Sequence, residues 1–449
     1  MSILSQNLKQ VFDLAEFERS QLMAKALAYY DGDKPSDMLK VEKDKPNDNV
    51  SVNYAETIVE KGVSFLFGDE LGVEIGEEED ETGEAYLDEV WPDDTRHVDL
   101  IELATNGGIF GHAWLKIMLT DGKPEVCVAD PQCMSAKWDS RNYKRVIRYR
   151  NQYNTVDDVT RKPIIWREDT ERDGKQWIIK EFWRRADSPA SLDDESVGWV
   201  SAGPPTLWPY EFAPVFECKN LPKANEFYGR ADLSKYVLSL CFYIARVDSL
   251  INKIIRAHAS PKPVATGIQK QLLEIGTEQI LFLPDKEAKM ELLEMTGDLT
   301  GAMAFRKQLR EALSEVSHVP EVATGKLESV GQLSGLALKI LYGPLVDQTS
   351  KKRRLYGKLV KDVVKALLII GGKSDQKVEL RWPSMLPGDE QTDWNVALVK
   401  NQLGVSKDTI LREKGYDSEQ ELEKSGKEAE AMAKTLMDNF ERGQEEDDE

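Results

Sequence analysis

No run of about 18 apolar residues occurs in this 449-residue chain, so no transmembrane helix is expected. The first residues, MSILSQNLKQVFDLAEFERSQ, lack the basic stretch and apolar core of a signal peptide. Cysteine is scarce. The four present (Cys127, Cys133, Cys218 and Cys241) show no CxxC spacing and read as reduced, intracellular and incidental, with Cys241 on a helical core stripe. Histidine is equally scarce: His97, His112, His258 and His318 are scattered, with no HExxH or HxxxH pair. Asp93, Asp94, His97 and Asp99 come nearest to a metal cluster. They read better as the charged start of a helix, because zinc sites show paired ligands at short spacing.

Two further near-matches fail on geometry. Gly372-Lys373-Ser374 resembles the end of a phosphate-binding loop, but Leu367 stands where that motif needs glycine, and the segment follows a helix instead of a strand. A glycine pair ending a helix is the better reading. Ser334, in Gly331-Gln332-Leu333-Ser334-Gly335, lacks the flanking glycines of a nucleophile elbow and reads as the cap of the helix that begins beside it. The chain therefore offers no catalytic constellation, no cofactor site and no metal site, and it is not read as an enzyme.

What is present is ordinary globular material: 41% hydrophobic and 31% charged residues, enough chain for roughly two to four domains. The net charge of −20 is not ordinary. A free-standing DNA binder gains affinity by releasing counterions from phosphates with lysine and arginine. This chain as a whole repels DNA, so either nucleic acid is irrelevant to it or it must pass DNA without gripping it.

Along the chain, residues 6 to 30 carry a helical stripe that ends at Asp31-Gly32-Asp33, and a polar loop spans Lys34 to Asn49. A second helix is expected from Tyr54 to Phe67, stopped by Gly68. The acidic run Glu77 to Glu81 reads as a solvated hairpin tip. After a helix over Asp99 to Gly107, Gly111 to Phe216 alternates β-branched and aromatic residues with polar ones. Asp121-Gly122 and Asp173-Gly174 supply turns, so this is an antiparallel β region. Leu233, Val237, Leu240, Ile244, Val247, Ile251 and Ile254 then follow at spacings of 4, 3, 4, 3, 4 and 3, a heptad seam that Tyr236, Tyr243 and Leu250 widen. A helix this apolar must pack against another, in its own chain or in a neighbour. Ser260-Pro261-Lys262-Pro263 ends it. A β excursion (Val264 to Gly267, Gln279 to Pro284) and a helix from Leu299 to Val316 come next. Helices over Thr392 to Gly404 and Lys407 to Lys414 precede an acidic tail.

The stretch from Pro320 to Gly372 is the most informative. Gly325, Gly331 and Gly335 loosen its start. A helical stripe (Leu333, Leu336, Ala337, Ile340, Leu341) is expected to break at Gly343-Pro344 and resume with Leu355, Leu359, Val360, Val363, Val364 and Leu367. The run Lys351-Lys352-Arg353-Arg354 is continued by Lys358, Lys361 and Lys365, so Arg354, Lys358, Lys361 and Lys365 form a basic helix face. Three readings of that face stay open: a solvated surface, pairing with carboxylates of an adjacent subunit, and contact with DNA phosphates.

These elements, in this order, resemble the portal proteins of tailed double-stranded-DNA bacteriophages. Asn53-Tyr54 with Ile58-Val59 and Phe65-Leu66-Phe67-Gly68 is similar to the family's N-terminal helix leading into its first strand. Gly107-Gly108 through Trp114, then Asp130-Pro131, is similar to the wing. Tyr228-Gly229-Arg230-Ala231-Asp232 resembles the lead into the stem, Gly331 to Lys339 (GQLSGLALK) the passage from tunnel loop to tunnel helix, and Leu403 to Thr409 the crown. The phrases are ordered over about residues 10 to 420.

The resemblance implies an α+β ring subunit. Its parts would be a mixed wing (1–232), a stem helix (233–257), a small β-containing clip (258–297), a second stem helix (298–318), a tunnel loop (319–334), a kinked tunnel helix returning to the wing (335–390), and a helical crown with an acidic tail (391–449). It implies a homo-oligomeric ring of about twelve copies at one capsid vertex of the virion, assembled in the host cytoplasm. Double-stranded DNA would be packaged and ejected through it. Its partners would be the major capsid protein, the terminase large subunit, which would supply the ATP chemistry, and head–tail adaptor proteins; no membrane is involved. Thr324, Gly325, Lys326, Leu327, Glu328, Ser329, Gly331 and Gln332 would form the DNA-facing tunnel loop, and the heptad seam would pack stem helices of neighbouring subunits. Lys326 is balanced by Glu321 and Glu328, and a ring of copies at −20 each presents a negative wall past which DNA can slide. The alternative is another oligomeric head–tail connector or structural virion protein, which would lack paired stem helices and an interior loop.

Overall fold

The computed structural model describes residues 3–33, 39, 47–76, 82–186, 198–259, 262–266, 289–293, 299–321, 335–373, 376–385, 398–402, 404–407 and 409–410. In chain order the elements are α1 (Ile3–Tyr30), α2 (Tyr54–Phe67), β1 (Gly72–Ile75), α3 (Thr82–Val90), α4 (Asp93–Phe110), β2 (His112–Thr120), β3 (Lys123–Ala129), β4 (Met134–Asp139), β5 (Asn142–Val156), β6 (Pro163–Asp173), β7 (Gln176–Arg185), β8 (Val200–Ser201), β9 (Thr206–Trp208) and β10 (Val215–Lys219). Then follow α5 (Lys235–Ala259), β11 (Lys262–Thr266), β12 (Lys289–Leu293), α6 (Thr300–Ser317), α7 (Gly335–Ile370) and β13 (Val378–Arg381). The chain divides into two units, Met1–Pro383 and Ser384–Glu449. In the second, residues 398–402 are helical, as expected, and the acidic tail lies outside the described residues.

Local chemistry explains the boundaries. At the start of α2 the Asn53 side chain accepts from the Glu56 amide at 3.2 Å while its own amide donates to the Glu56 carboxylate at 2.9 Å, a reciprocal cap. The β2–β3 hairpin turns on Asp121 (φ 52°) and Gly122 (φ 82°), which supply the positive φ that a two-residue turn requires. α7 ends where Gly372 adopts φ 73°, its amide reaching Ile369 and that of Lys373 reaching Leu368, so the glycine pair is a helix cap and no phosphate loop. α4 begins at Asp93, and Asp99 accepts from the Trp91 indole at 2.7 Å; the acidic cluster beside His97 is thus a helix start. No group of three or more metal-ligating side chains occurs among the described residues.

All described strand pairs are antiparallel. β10-β2-β3 form one sheet, β4-β5-β6-β7-β8 a second with β9 also on β7, β1 pairs with β13, and β11 with β12. The Gln279 to Pro284 part of the expected β excursion lies outside the described residues; β11 pairs with β12 (Lys289–Leu293). The inward face of the larger sheet (Ala136, Tyr149, Thr170) and both faces of β2 (Ala113, Trp114, Leu115, Ile117) are buried with α2, α4 and the C-terminal half of α7. Cys241 is buried on α5, as its stripe position implied, and His112 packs among Trp114, Phe227 and Tyr228.

One expectation fails in its geometry. α7 runs unbroken for 36 residues through Pro344. Pro344 and Ile340, whose carbonyl loses its helical donor, are both exposed. Water can take that carbonyl, so the helix continues where a buried proline would have broken it.

Candidate functional site

The described elements converge on one buried carboxylate. The backbone from Leu221 to Leu233 straps across the C-terminal end of α4: the Asp232 amide donates to Gly108 O at 2.9 Å, and Arg230 N to Leu221 O at 2.9 Å. The strap lies so close that a Cβ at Gly111 (φ +83°) would sit 2.7 Å from the Ala231 amide nitrogen, and one at Gly229 only 2.4 Å from Gly111 O. Only glycine allows that approach. The strap coincides with the phrase Tyr228 to Asp232 and delivers the chain directly into α5.

Asp232 is 7% exposed. Its Oδ2 accepts from Lys352 Nζ of α7 at 2.5 Å, and its Oδ1 accepts from Asn220 Nδ2 and Gln348 Nε2, each at 3.0 Å. Tyr356, fully buried, donates to Asn220 Oδ1 at 3.2 Å; burial pushes its hydroxyl well above its ordinary range, so it stays a neutral donor. Gly108 and Gly62 make room: a Cβ on Gly108 would come within 3.1 Å of Asp232 Oδ2. A buried pair this well surrounded is costly to break from one side, by about 3–5 kcal/mol, because the remaining charge is left uncompensated. Its chemistry is mechanical. It ties α7 to the start of α5.

The basic run therefore divides. Lys352 points inward to Asp232. Arg353 donates to Pro383 O at 2.7 Å and covers the Trp382 ring at 5.0 Å, holding the chain that leaves β13. Burial lowers its pKa, against the pull of Asp69. Arg354, Lys358 and Lys365 are exposed and Lys361 is half-buried. Lys352 had a detectable signature: it lies on the same helical stripe as Leu345, Thr349, Tyr356 and Leu359, where a charge implies a buried partner. Asp232, Asn220 and Gln348 carry no comparable signal.

The heptad seam is spent largely inside the chain. Leu233, just ahead of α5, and Val237, Ile244 and Ile251 on it are buried, while Leu240, Val247 and Ile254 are half-buried. α5 packs on α6, joined by an ion pair between Asp248 and Arg306, and Arg256 pairs with Asp48 at 2.5 Å. The seam assigned to neighbouring subunits thus already has a partner in its own chain, because α6 and the 47–50 segment reach it first. The residues that widened it are the ones left over: Tyr236, Tyr243 and Leu250, seven apart, are 63%, 50% and 42% exposed. Met303 and Phe305 on α6 are also exposed. All eight tunnel-loop residues, Thr324 to Ser329, Gly331 and Gln332, lie outside the described residues, and so does the proposed cap Ser334.

Three comparisons bear on identity. Among curated proteins, none matches this chain. Among solved structures, a chain in the neck of an empty GTA particle, computed with C6 symmetry, aligns at a TM-score of 0.50 and 8% identity, covering 81% of this chain and 90% of that one. A chain from the virion of a native gene transfer agent particle aligns at 0.46 and 10% identity, covering 88% and 99%. At such identities the first likeness speaks for the fold, an α+β arrangement with long helices. The sequence itself matches the family described as "Phage portal protein, SPP1 Gp6-like" over residues 14–173 and 215–435. With that match across most of its length, this chain is a member of the SPP1 Gp6-like phage portal protein family.

Proposed function

We propose that this chain forms a ring at one vertex of a phage-like capsid, through which double-stranded DNA is packaged and later ejected, and that it does so without chemistry of its own. Terminase large subunit, head–tail adaptors and the major capsid protein would dock on it in the virion. The observation that carries this reading is the row Tyr236, Tyr243 and Leu250: a heptad-spaced apolar stripe left exposed on a helix whose opposite side is already buried. Such a stripe on a long helix pair suits a repeated neighbour of the same kind. The similar chain in a neck computed with C6 symmetry supports a ring of copies. The loop Thr324 to Gln332, carried by the start of α7, is proposed to face the DNA, with Lys326 offset by Glu321 and Glu328 so that phosphates are not gripped.

Negative-stain imaging of the purified full chain tests this. Rings with a central hole wide enough for duplex DNA are expected, and a monomer at every concentration and salt condition would sink the reading. Tyr243→Ser should leave the unfolding midpoint of the isolated chain within about 0.5 kcal/mol of the parent, as for surface changes generally, while sharply reducing the ring fraction.

A further inference from the structure

Beside the Asp232–Lys352 pair the packing leaves a small space. Its walls include Ile58 and Gly62 of α2, Ser317 at the end of α6, and Leu345, Gln348 and Thr349 of α7, together with the pair itself. The volume open to the centre of a water-sized sphere is about 10 Å³. That is the scale of one water molecule and too little for an organic ligand. The side chains around it run from 1% exposed at Thr349 to 9% at Gln348, so a polar group that turns toward this space has no bulk solvent to bond.

Two such groups keep hydrogen-bonding capacity in reserve. A carboxylate only accepts, so Gln348 must turn its amide nitrogen to Asp232, and Nε2 donates to Oδ1 at 3.0 Å. The amide oxygen is thereby the end left over. Gln348 Oε1 is buried with no hydrogen-bond partner among the described residues. Lys352 carries three donors; one goes to Asp232 Oδ2 at 2.5 Å, and Gln348 Oε1 takes neither of the others. The hydroxyl protons nearby are committed to backbone: Thr349 Oγ1 donates to Leu345 O at 2.8 Å and Ser317 Oγ to Ser314 O at 3.5 Å. A buried acceptor without a donor is costly, and a buried ion pair is stable only when its remaining protons and lone pairs are met.

We infer that one water molecule occupies this space, accepting from Lys352 Nζ and donating to Gln348 Oε1. Its second proton has a hydroxyl oxygen, of Thr349 or Ser317, as acceptor. Water fits where an ion does not. An anion would face the Asp232 carboxylate and the Gln348 oxygen, and a cation would face the Lys352 ammonium. The water bridges two residues one turn apart on α7 and completes the shell of the buried pair. It serves the single subunit, whether or not copies assemble.

The test is a high-resolution crystal structure of the full chain, with a second crystal soaked in rubidium bromide. A single peak at about 3 Å from both Lys352 Nζ and Gln348 Oε1, without anomalous signal, is expected. An anomalous peak there identifies an ion and overturns the inference, as does a space without density or a direct bond between Gln348 and Lys352. Gly62→Ala gives an independent reading by denaturant unfolding. Its Cβ would sit 3.4 Å from both Asp232 Oδ2 and Lys352 Nζ, an ordinary contact, so the methyl is accommodated but takes the water's space. Alanine for glycine within a helix by itself lowers the unfolding constant about fivefold. With the water displaced, the constant should instead rise on the order of tenfold, because Gln348 Oε1 and the Lys352 protons lose their partner. A fall of about fivefold would show that nothing needed was displaced and would overturn the inference.

Discussion

The two halves of α7 are written in the same alphabet and serve opposite environments. In its C-terminal half, Tyr356, Val360, Val363, Val364 and Leu367 are fully buried against the sheet and helices of the first unit. In its N-terminal half, Ile340 is 69% and Leu341 38% exposed. Both halves show the helical stripe. One is satisfied within the chain; in the other, Ile340 and Leu341 stand exposed among the described residues. The buried Lys352–Asp232 pair lies within the enclosed part of α7, which begins at Leu345. α5 repeats the lesson around its circumference instead of along its length, with Ile244 fully buried and Tyr243 half exposed.

The contrast can be broken or sharpened in order of expected effect. Lys352→Met should lower stability by about 3–5 kcal/mol, since Asp232 is then buried without its cation; denaturant unfolding measures this, and a loss below about 1 kcal/mol would mean that water reaches the pair. Leu367→Ala should cost about 2–5 kcal/mol, whereas Ile340→Ala, chemically alike, should stay within about 0.5 kcal/mol in the monomer. Equal losses would erase the distinction between the halves. Reversing Arg354, Lys358 and Lys361 to glutamate should barely alter monomer unfolding. If it loosens the assembled ring, the face pairs with a neighbouring subunit; an unchanged oligomer mass at high dilution leaves it a solvated surface.

The smallest effect concerns His318, the left-handed cap of α6 at φ 61°. Burial, with Arg230 and Lys351 nearby, lowers its pKa against the opposing pull of Asp232. The unfolded chain therefore binds the proton more readily than the folded one. The contribution of this group to stability is present above the ordinary histidine value and is lost as pH falls through it toward the depressed folded value. His318→Asn, which tolerates the left-handed backbone, should flatten that slope in pH-dependent melting; an unaltered slope would assign it to other groups.

Much of this architecture was legible because it depends on near neighbours in sequence. α2 occupies the expected span because Asn53 and Glu56 cap it and Gly68 stops it. The β region announced itself through alternation and through turns such as Asp121-Gly122, whose φ values are local properties. The family resemblance, carried by ordered phrases, is met by a match over residues 14–173 and 215–435. The buried network was not legible. Asp232 and Lys352 lie 120 positions apart, and no local pattern marks the aspartate. Nor could spacing alone say that Pro344 would be tolerated, because its cost depends on whether Ile340 O meets water or protein.

By itself the sequence determined the periods, the caps, the turns and the charge imbalance, and with them the spans of elements such as α2 and the antiparallel β region. Tertiary structure alone decided which apolar stripe is consumed and which is left over, and which lysine of a basic run turns inward. The physical reason is that propensity and periodicity act over a few residues, whereas burial is a competition among distant surfaces for the same face. On α5 that competition was won by α6 and the 47–50 segment, and it left Tyr236, Tyr243 and Leu250 uncovered.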